Sequence, residues 1–388
     1  MSFIVLVLVG VPLNAVAEDD VEVLVAQGDN LVDICGVYLE YPEEWPRVAA
    51  ANQLDDPHRI FPGQKLIIPA ELLKGIPTSG TVSFVKGTAE IQRRGQALWE
   101  PLRLKDPVEE GSSVRTESGS ALEVTFEDGS SLFLRSETTV GMTKVRKRGA
   151  VHFIEDLFLQ GGRIINSIKR ATGREPRYRI RTPSAIAAAR GTEFRVSHDK
   201  KASTRVEVLK GRVSAKGHER SVDLAQGEGT VVMPGAEPRA ALRLLAPPNL
   251  INPEPLYRKM PLEFRFDRVE AAVSYRVMVA RDPGFKDLVH DGVIRPMELL
   301  KVEPVDDGTY LMQVASMDGF GLEGLPSAPY PVKVRTSPVP PFVQSPSDGK
   351  EYKTVTMEFS WLQVEDASKY SMQISENSFS SVSWTKRS

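Results

Sequence analysis

The sequence predicts a multidomain, mainly β protein: a small βααβ module, a long β-rich region, then β-sandwich repeats. Three observations carry this prediction. Helical spacing marks part of residues 23–69 and gives way to strand alternation from Gly80 onward. Between Gly80 and Pro234, short alternating runs are separated by glycine corners. Near the end, residues 263–285 and 358–380 align at an offset of 95. The expected divisions are a signal peptide over 1–17, the βααβ module over 21–70 and the β-rich region over 80–235. A sandwich is expected over 250–336 and a second, incomplete repeat over 342–388.

Composition fits this plan. The 388 residues are 41% hydrophobic and 26% charged, a globular balance with room for several cores. The 28 prolines and 29 glycines suit many short strands joined by turns. Residues 3–17 form the one long apolar run, too short to span a bilayer, which needs about 20 residues. Ala15-Val16-Ala17 before Glu18 reads as an A-x-A cleavage site, although no Lys or Arg precedes the apolar stretch. The expectation is an exported protein of the periplasm or cell envelope, not membrane-spanning after signal cleavage. Cys35 is the sole cysteine, so no internal disulfide is expected, and it reads as a small buried side chain.

The formal net charge of −2 hides an asymmetry. Residues 1–80 carry 4 Lys/Arg against 12 Asp/Glu, whereas residues 141–220 carry 20 against 7. Such a basic block is either a solvated face or a surface for an anionic partner. In an exported protein that partner would be an anionic lipid or an envelope or outer-membrane protein. Nucleic acid is not expected.

Within the first module, a short apolar strand runs into Gly28-Asp29-Asn30-Leu31. Asp29 or Asn30 is placed to cap a helix bearing Leu31, Ile34 and Tyr38 at helical spacing. A second helix is expected around Arg47 to Asn52. Pro62-Gly63 makes a turn before a closing strand, Leu66-Ile67-Ile68-Pro69. The G-D-x-L, A-x-N and I-x-P-G-Q-x-L-x-I-P elements resemble the LysM domain, a βααβ module that binds N-acetylglucosamine glycans such as peptidoglycan. That family usually has Thr or Ser where Asn30 stands and Ala where Cys35 stands. The resemblance implies glycan contacts from Gly28, Asp29, Asn30 and Leu31 in the first loop. The second loop would contribute Leu54, Asp55, Pro57, Arg59 and Ile60. For Leu31 and Ile60, core packing is the competing reading.

In the central region, Ala121–Phe126, the Glu127-Asp128-Gly129-Ser130 turn and Ser131–Leu134 spell a hairpin. Evenly spaced strands with glycine corners predict rungs of a solenoid or a distorted barrel. The D-G-S turn, the stretch Thr182 to Val196 containing R-G-T-E-F, and Val206 to Val213 resemble the FecR family, which implies a β-helix-like domain. In the founding members this domain relays a signal to a sigma factor through an upstream membrane helix and cytoplasmic segment. Here a LysM-like module stands in that place, so sigma-factor control is not carried over. Arg190, Thr192 and Glu193 are the polar residues to follow. They either pin a buried corner at Gly191 or, through Arg190, meet a ligand.

In the C-terminal repeats, Glu263-Phe264-Arg265-Phe266 aligns with Glu358-Phe359-Ser360-Trp361, and Val269 and Tyr275 with Val364 and Tyr370. The first copy resembles a fibronectin type III or related Ig-like domain. The second stops at Ser388, short of its late strands, which points to further sequence beyond that residue.

No catalytic constellation stands out. His58, His152, His198, His218 and His290 are scattered without metal-ligand spacing, and no nucleophile elbow or phosphate loop occurs. Adjacent acids such as Glu43-Glu44 and Asp55-Asp56 read as hydrated faces rather than a glycosidase pair. No enzyme, metal or cofactor is expected. The sequence points to an envelope protein that binds peptidoglycan and presents its other domains as a scaffold. A signal receptor acting through the FecR-like region is the alternative, and a cell-wall hydrolase the third reading.

Overall fold

The computed structural model describes residues 20–148, 152–169 and 178–337, and parts of 341–387. The expected signal peptide lies outside the described residues. The chain is mainly β, as expected, with helix confined to the small N-terminal module and the turn that follows it.

That module contains strand β1 (Val21–Leu24), helix α1 (Leu31–Tyr38), helix α2 (Trp45–Ala51) and strand β2 (Lys65–Ile68). β1 and β2 pair antiparallel, Val21 facing Ile68 and Leu24 facing Lys65. The two candidate capping residues divide the work. Asn30 Oδ1 accepts from Asp33 N–H at 2.9 Å and starts α1, while Asp29 accepts from Ala26 N–H at 2.8 Å and closes the preceding turn. Asn52 fastens α2 to β2: it accepts from Ile67 N–H and donates to Ile67 O, both at 2.6 Å, and donates to Val48 O at 2.8 Å. The core is apolar throughout and includes Val25, Leu31, Ile34, Cys35, Val48 and Leu66. Burial there pushes the Cys35 thiol up to about 11, so it packs as a small hydrophobe.

Strands then follow in close succession. They are β3 (Ile76–Pro77), β4 (Ser79–Lys86), β5 (Ala89–Gln92), β6 (Glu100–Pro101), β7 (Pro107–Glu109) and β8 (Ser113–Thr116). Next come β9 (Ala121–Thr125), β10 (Ser131–Leu134), β11 (Thr139–Arg148), β12 (His152–Ser167), β13 (Tyr178–Arg181) and β14 (Ile186–Ala189). β15 (Glu193–His198), β16 (Thr204–Lys210), β17 (Arg212–Gly217), β18 (Arg220–Ala225), β19 (Glu228–Val232) and β20 (Leu242–Arg243) complete the region. One sheet runs β6-β5-β8-β11-β12-β13-β14-β17-β18. The other runs β7-β4-β9-β10-β12-β15-β16-β19-β20. The pairing is antiparallel except between β12 and β13. Strands shuttle between the two faces like successive turns of a solenoid, and the system is closed.

β12 belongs to both sheets. Its first part pairs with β11 and β13, and from Gly162 it pairs with β15 on the other face. The switch falls at Gly161-Gly162. Gly162 has φ +97°, and a Cβ there would lie 2.5 Å from Thr138 Cα and 2.7 Å from Glu137 O, so only glycine fits. The inner faces enclose an aliphatic core including Leu122, Leu132, Leu157, Ile164, Val196 and Val206. Tyr178 stands edge-on to Phe126 and Phe194, and its hydroxyl donates to Asn166 Oδ1 at 2.9 Å.

This body and the N-terminal module lie in one compact unit, which also contains the stretch Ala315–Pro326. Within it, β3 pairs with β11, Lys144 is salt-bridged to Glu40, and Arg146 donates to Lys74 O at 3.3 Å. One cation of the basic block, Lys144, thus pairs with a carboxylate of the acidic module, while Arg146 reaches the linker and pairs with Glu110 of the body.

The second unit comprises Pro248–Arg268, Arg276–Val314 and Ser327–Ser388. The strands of this part of the chain include a pair, Leu262–Phe264 with Leu300–Val302, and a four-stranded sheet. In spatial order that sheet is Leu288–Ile294, Ser274–Ala280, Gly308–Met317 and Tyr330–Val334. The aligned repeats share a local device. Val269 N–H donates to Tyr275 Oη at 2.9 Å, and Val364 N–H donates to Tyr370 Oη at 2.7 Å.

Candidate functional site

The end of the N-terminal module where β1 finishes and β2 begins gathers the loops named from the sequence. Val25 N–H donates to Gln64 O at 2.9 Å and Gly63 N–H to Val25 O at 2.8 Å, which sets the first loop beside the Pro62-Gly63 turn. Gly28, Asp29 and Asn30 are exposed, and Gly28 sits at φ +93° with open space where a Cβ would point. In the second loop Asp55 and Arg59 are exposed, while Leu54, Pro57 and Ile60 are half-buried. Leu54 and Ile60 pack against the core that contains Leu31, so both loops border one patch. The Leu31 side chain is 2% exposed and belongs to the core; there the competing reading holds, and only its main chain is left for a ligand. Asp56 rather than Asp55 shapes the loop, accepting from His58 N–H through its side chain at 2.9 Å and from Arg59 N–H through its carbonyl at 3.1 Å. His58 in turn lies against Trp45, ring centroids 6.4 Å apart.

Phe61 was missed by sequence reasoning. It is 61% exposed beside Ile60, an apolar ring held at the mouth of the loops by the turn in which Phe61 N–H donates to Gln64 Oε1 at 2.9 Å. The signal was an aromatic at the variable position of I-x-P-G-Q. The patch therefore combines main-chain groups, exposed amide and carboxylate side chains and one aromatic face. Such a combination can fix a small ligand by hydrogen bonds at its edge and cover it with an apolar face.

In the central body Arg190 and Glu193 are exposed and Thr192 is buried. Gly191, at φ +61°, turns the corner between β14 and β15. A second corner packs on it: a Cβ on Gly211 would lie 2.7 Å from Thr192 Cγ2 and 3.1 Å from Gly191 O. R-G-T and K-G-R are thus two touching glycine corners, which favours the structural reading of Thr192.

Sequence reasoning also passed over a buried charge cluster. Arg195, Glu207 and Glu323 are each 3% exposed. Arg195 Nη1 and Arg163 Nη2 lie 2.7 and 2.6 Å from the same Glu323 oxygen, and Arg195 Nε lies 3.4 Å from Glu207 Oε2. Desolvation pushes Glu207 above the usual carboxylate range, opposed by Arg195. Among the described residues, no group of three or more His, Cys, Asp or Glu is arranged to hold a metal, and no helix is long and apolar enough to cross a membrane.

Comparison with known families decides what these regions are. The LysM domain model matches residues 23–69, and the FecR protein model matches residues 112–214. The chain carries a LysM domain and a FecR domain. LysM domains bind peptidoglycan, and both families are non-catalytic binding or signalling domains typical of the cell envelope. Two solved structures of a putative anti-sigma factor from Parabacteroides distasonis ATCC 8503, at 1.65 and 2.50 Å resolution, are 20% identical in sequence. The similarity spans 34% of this chain and 59% of theirs, at a TM-score of 0.29, a likeness too slight to carry an argument. No curated protein matches the chain.

Proposed function

We propose that the chain is a non-catalytic cell-envelope protein. It grips N-acetylglucosamine-containing glycans of peptidoglycan through its LysM loops and offers the FecR domain and the C-terminal repeats as an interaction scaffold. The observation that carries this is the juxtaposition, on a matched LysM domain, of the exposed loop Gly28–Asn30 with the Leu54–Ile60 loop and the Phe61 ring. In this reading Gly28 and Leu31 offer main-chain groups, and Asp29, Asn30, Asp55 and Arg59 offer polar edges. Leu54, Pro57, Ile60 and Phe61 cover the sugar face. Export past the inner membrane follows from the target and from the apolar leader in the sequence. One small module binds weakly, so neighbouring copies on the same wall would hold through raised effective concentration.

Retention on insoluble peptidoglycan tests this. The intact chain is expected in the pellet, with Phe61→Ala and Asn30→Ala each weakening retention roughly ten-fold, about 1.4 kcal/mol. Equal retention of a chain lacking residues 21–70 would defeat the reading.

The FecR match favours a second reading, an envelope signal receptor. Its basic 141–220 block would then meet an outer-membrane protein or an anionic lipid. Lys144 and Arg146 are already engaged with the LysM module and its linker, so the partner would use other cations. Crosslinking in the envelope that recovers glycan and no protein would count against it.

A further inference from the structure

Leu322, Glu323 and Gly324 are buried, whereas Gly319 and Phe320 before them are exposed and Leu325 and Pro326 after them are half-exposed. A tripeptide is thus sunk into the outer face of β12, β15, β16 and β19; Asp318 and Ser316 hold its own turn, and Glu207, Arg195 and Arg163, more than a hundred positions away in sequence, meet it from the body. We propose that this face is a recognition site for an acidic peptide turn, and that the chain's own Met317–Pro326 segment occupies it in cis.

Each part of the turn is met by a matching group. Two guanidiniums, Arg163 and Arg195, converge on one carboxylate oxygen of Glu323. Arg195 also donates to the carbonyls of Glu323 and, at 2.9 Å, of Gly324. Glu207 accepts the Glu323 N–H at 3.0 Å, so the main chain is read as well as the side chain. Leu322 fills an apolar seat formed with Val231 and Leu244. Gly229 on β19 opens that seat, because a Cβ there would come within 3.2 Å of Leu322 Cδ2 and 3.0 Å of Val206 O. At the rim, Arg205 Nε donates to Phe320 O at 2.7 Å and the Arg239 guanidinium lies 4.4 Å from the Phe320 ring centroid.

The charges define the class of ligand. Well-packed apolar side chains would hold a permanent contact at least as firmly as a buried ion cluster. What the cluster adds is rejection of any segment that lacks a carboxylate. With the turn withdrawn, Arg163 and Arg195 would lose the carboxylate on which both converge, at a cost in a desolvated face. The fitting ligand is an extended or turning peptide with an acid between an apolar residue and glycine. Because the resident turn is tethered, it competes at high effective concentration and keeps weak ligands out.

The test is a titration of a labelled peptide of the chain's own Met317–Pro326 sequence against the full-length protein and its Glu323→Ala variant, read by fluorescence anisotropy. The variant is expected to bind at least about ten-fold more tightly than the wild type, and the Glu323→Gln peptide about ten-fold more weakly than the acidic one. Amide exchange across β15 and β16 reports whether the variant is folded. Should it not be, the peptide is added in millimolar excess to the wild-type chain. There it should speed exchange of the Glu323 and Gly324 amides, which Glu207 and Ser316 hold. Absence of binding to a folded variant, or unchanged exchange under that excess, overturns the proposal, as does equal affinity for the acidic and Gln peptides. Peptidoglycan retention should be the same for wild type and Glu323→Ala, which keeps this outcome separate from the glycan reading.

Discussion

The LysM module keeps its ion pairs at the surface: Arg47 with Glu44 at 3.0 Å and Glu71 at 3.4 Å, and Lys65 with Glu22 at 2.8 Å. The FecR body sinks Arg195, Glu207 and Glu323 out of water. Size accounts for the difference. A module of two short strands and two short helices has one small core, and a charge within it would find too few partners to offset its desolvation. The larger body has two broad sheets, and a covering segment brings the missing carboxylate. Surface pairs of the first kind contribute little; buried clusters of the second kind select what may cover them.

The sharpest way to break this comparison is to truncate one arginine in each region. Arg195→Ala should cost about 3–5 kcal/mol, because it removes the guanidinium that Glu207 and Glu323 share in a dry face. Arg47→Ala should cost about 1 kcal/mol or less. Urea unfolding of the two variants measures both, and similar losses would erase the distinction. Next come the two positive-φ glycines. Gly162→Ala meets Thr138 and Glu137 main chain and should destabilise by about 3 kcal/mol. Gly28→Ala, with open space around it, should cost only about 1 kcal/mol, read as the shift in melting temperature.

The smallest effect is in pH. Burial lowers His198 from its usual range, with Asp199 opposing; its Nδ1 meets Thr204 Oγ1 at 3.0 Å. The unfolded chain therefore takes up a proton at His198 before the folded one does. Stability should fall as pH drops below about 6.5 and on through the lowered value. The Glu110 pair with Arg146 acts lower down: the Arg146 hydrogen bond holds this carboxyl below its usual range, so its contribution is lost only as pH falls through the lowered value. His198→Gln should flatten the first step and leave the second. Melting curves between pH 7 and 3 would show it, and an unchanged first step would remove His198 from the account.

Local chemistry was legible in the sequence wherever neighbours in the chain make the structure. The Asn30 cap, the Asp128-Gly129 hairpin and the Tyr275 and Tyr370 pair all depend on residues within a few positions. The LysM loops were legible too, except that Leu31 looks inward and Phe61 outward. The alternation of E-F-R-V-S-H puts Arg195 on the outer side of β15, where it would ordinarily be wet. Nothing near it announces Glu323, 128 residues on, which covers it. The same distance kept segment 315–326 within an expected sandwich over 250–336, although its contacts join it to the first unit. Nor does composition reveal that Lys144 of the basic block pairs with Glu40 of the acidic module.

β12 carries one further consequence. A strand stitched into both layers acts as a common seam, so neither layer can peel away while the other stays zipped. Tension on the chain would meet one cooperative unit joined at Gly161-Gly162 instead of two in series. The body is thereby suited to transmit a pull intact rather than to yield piecemeal.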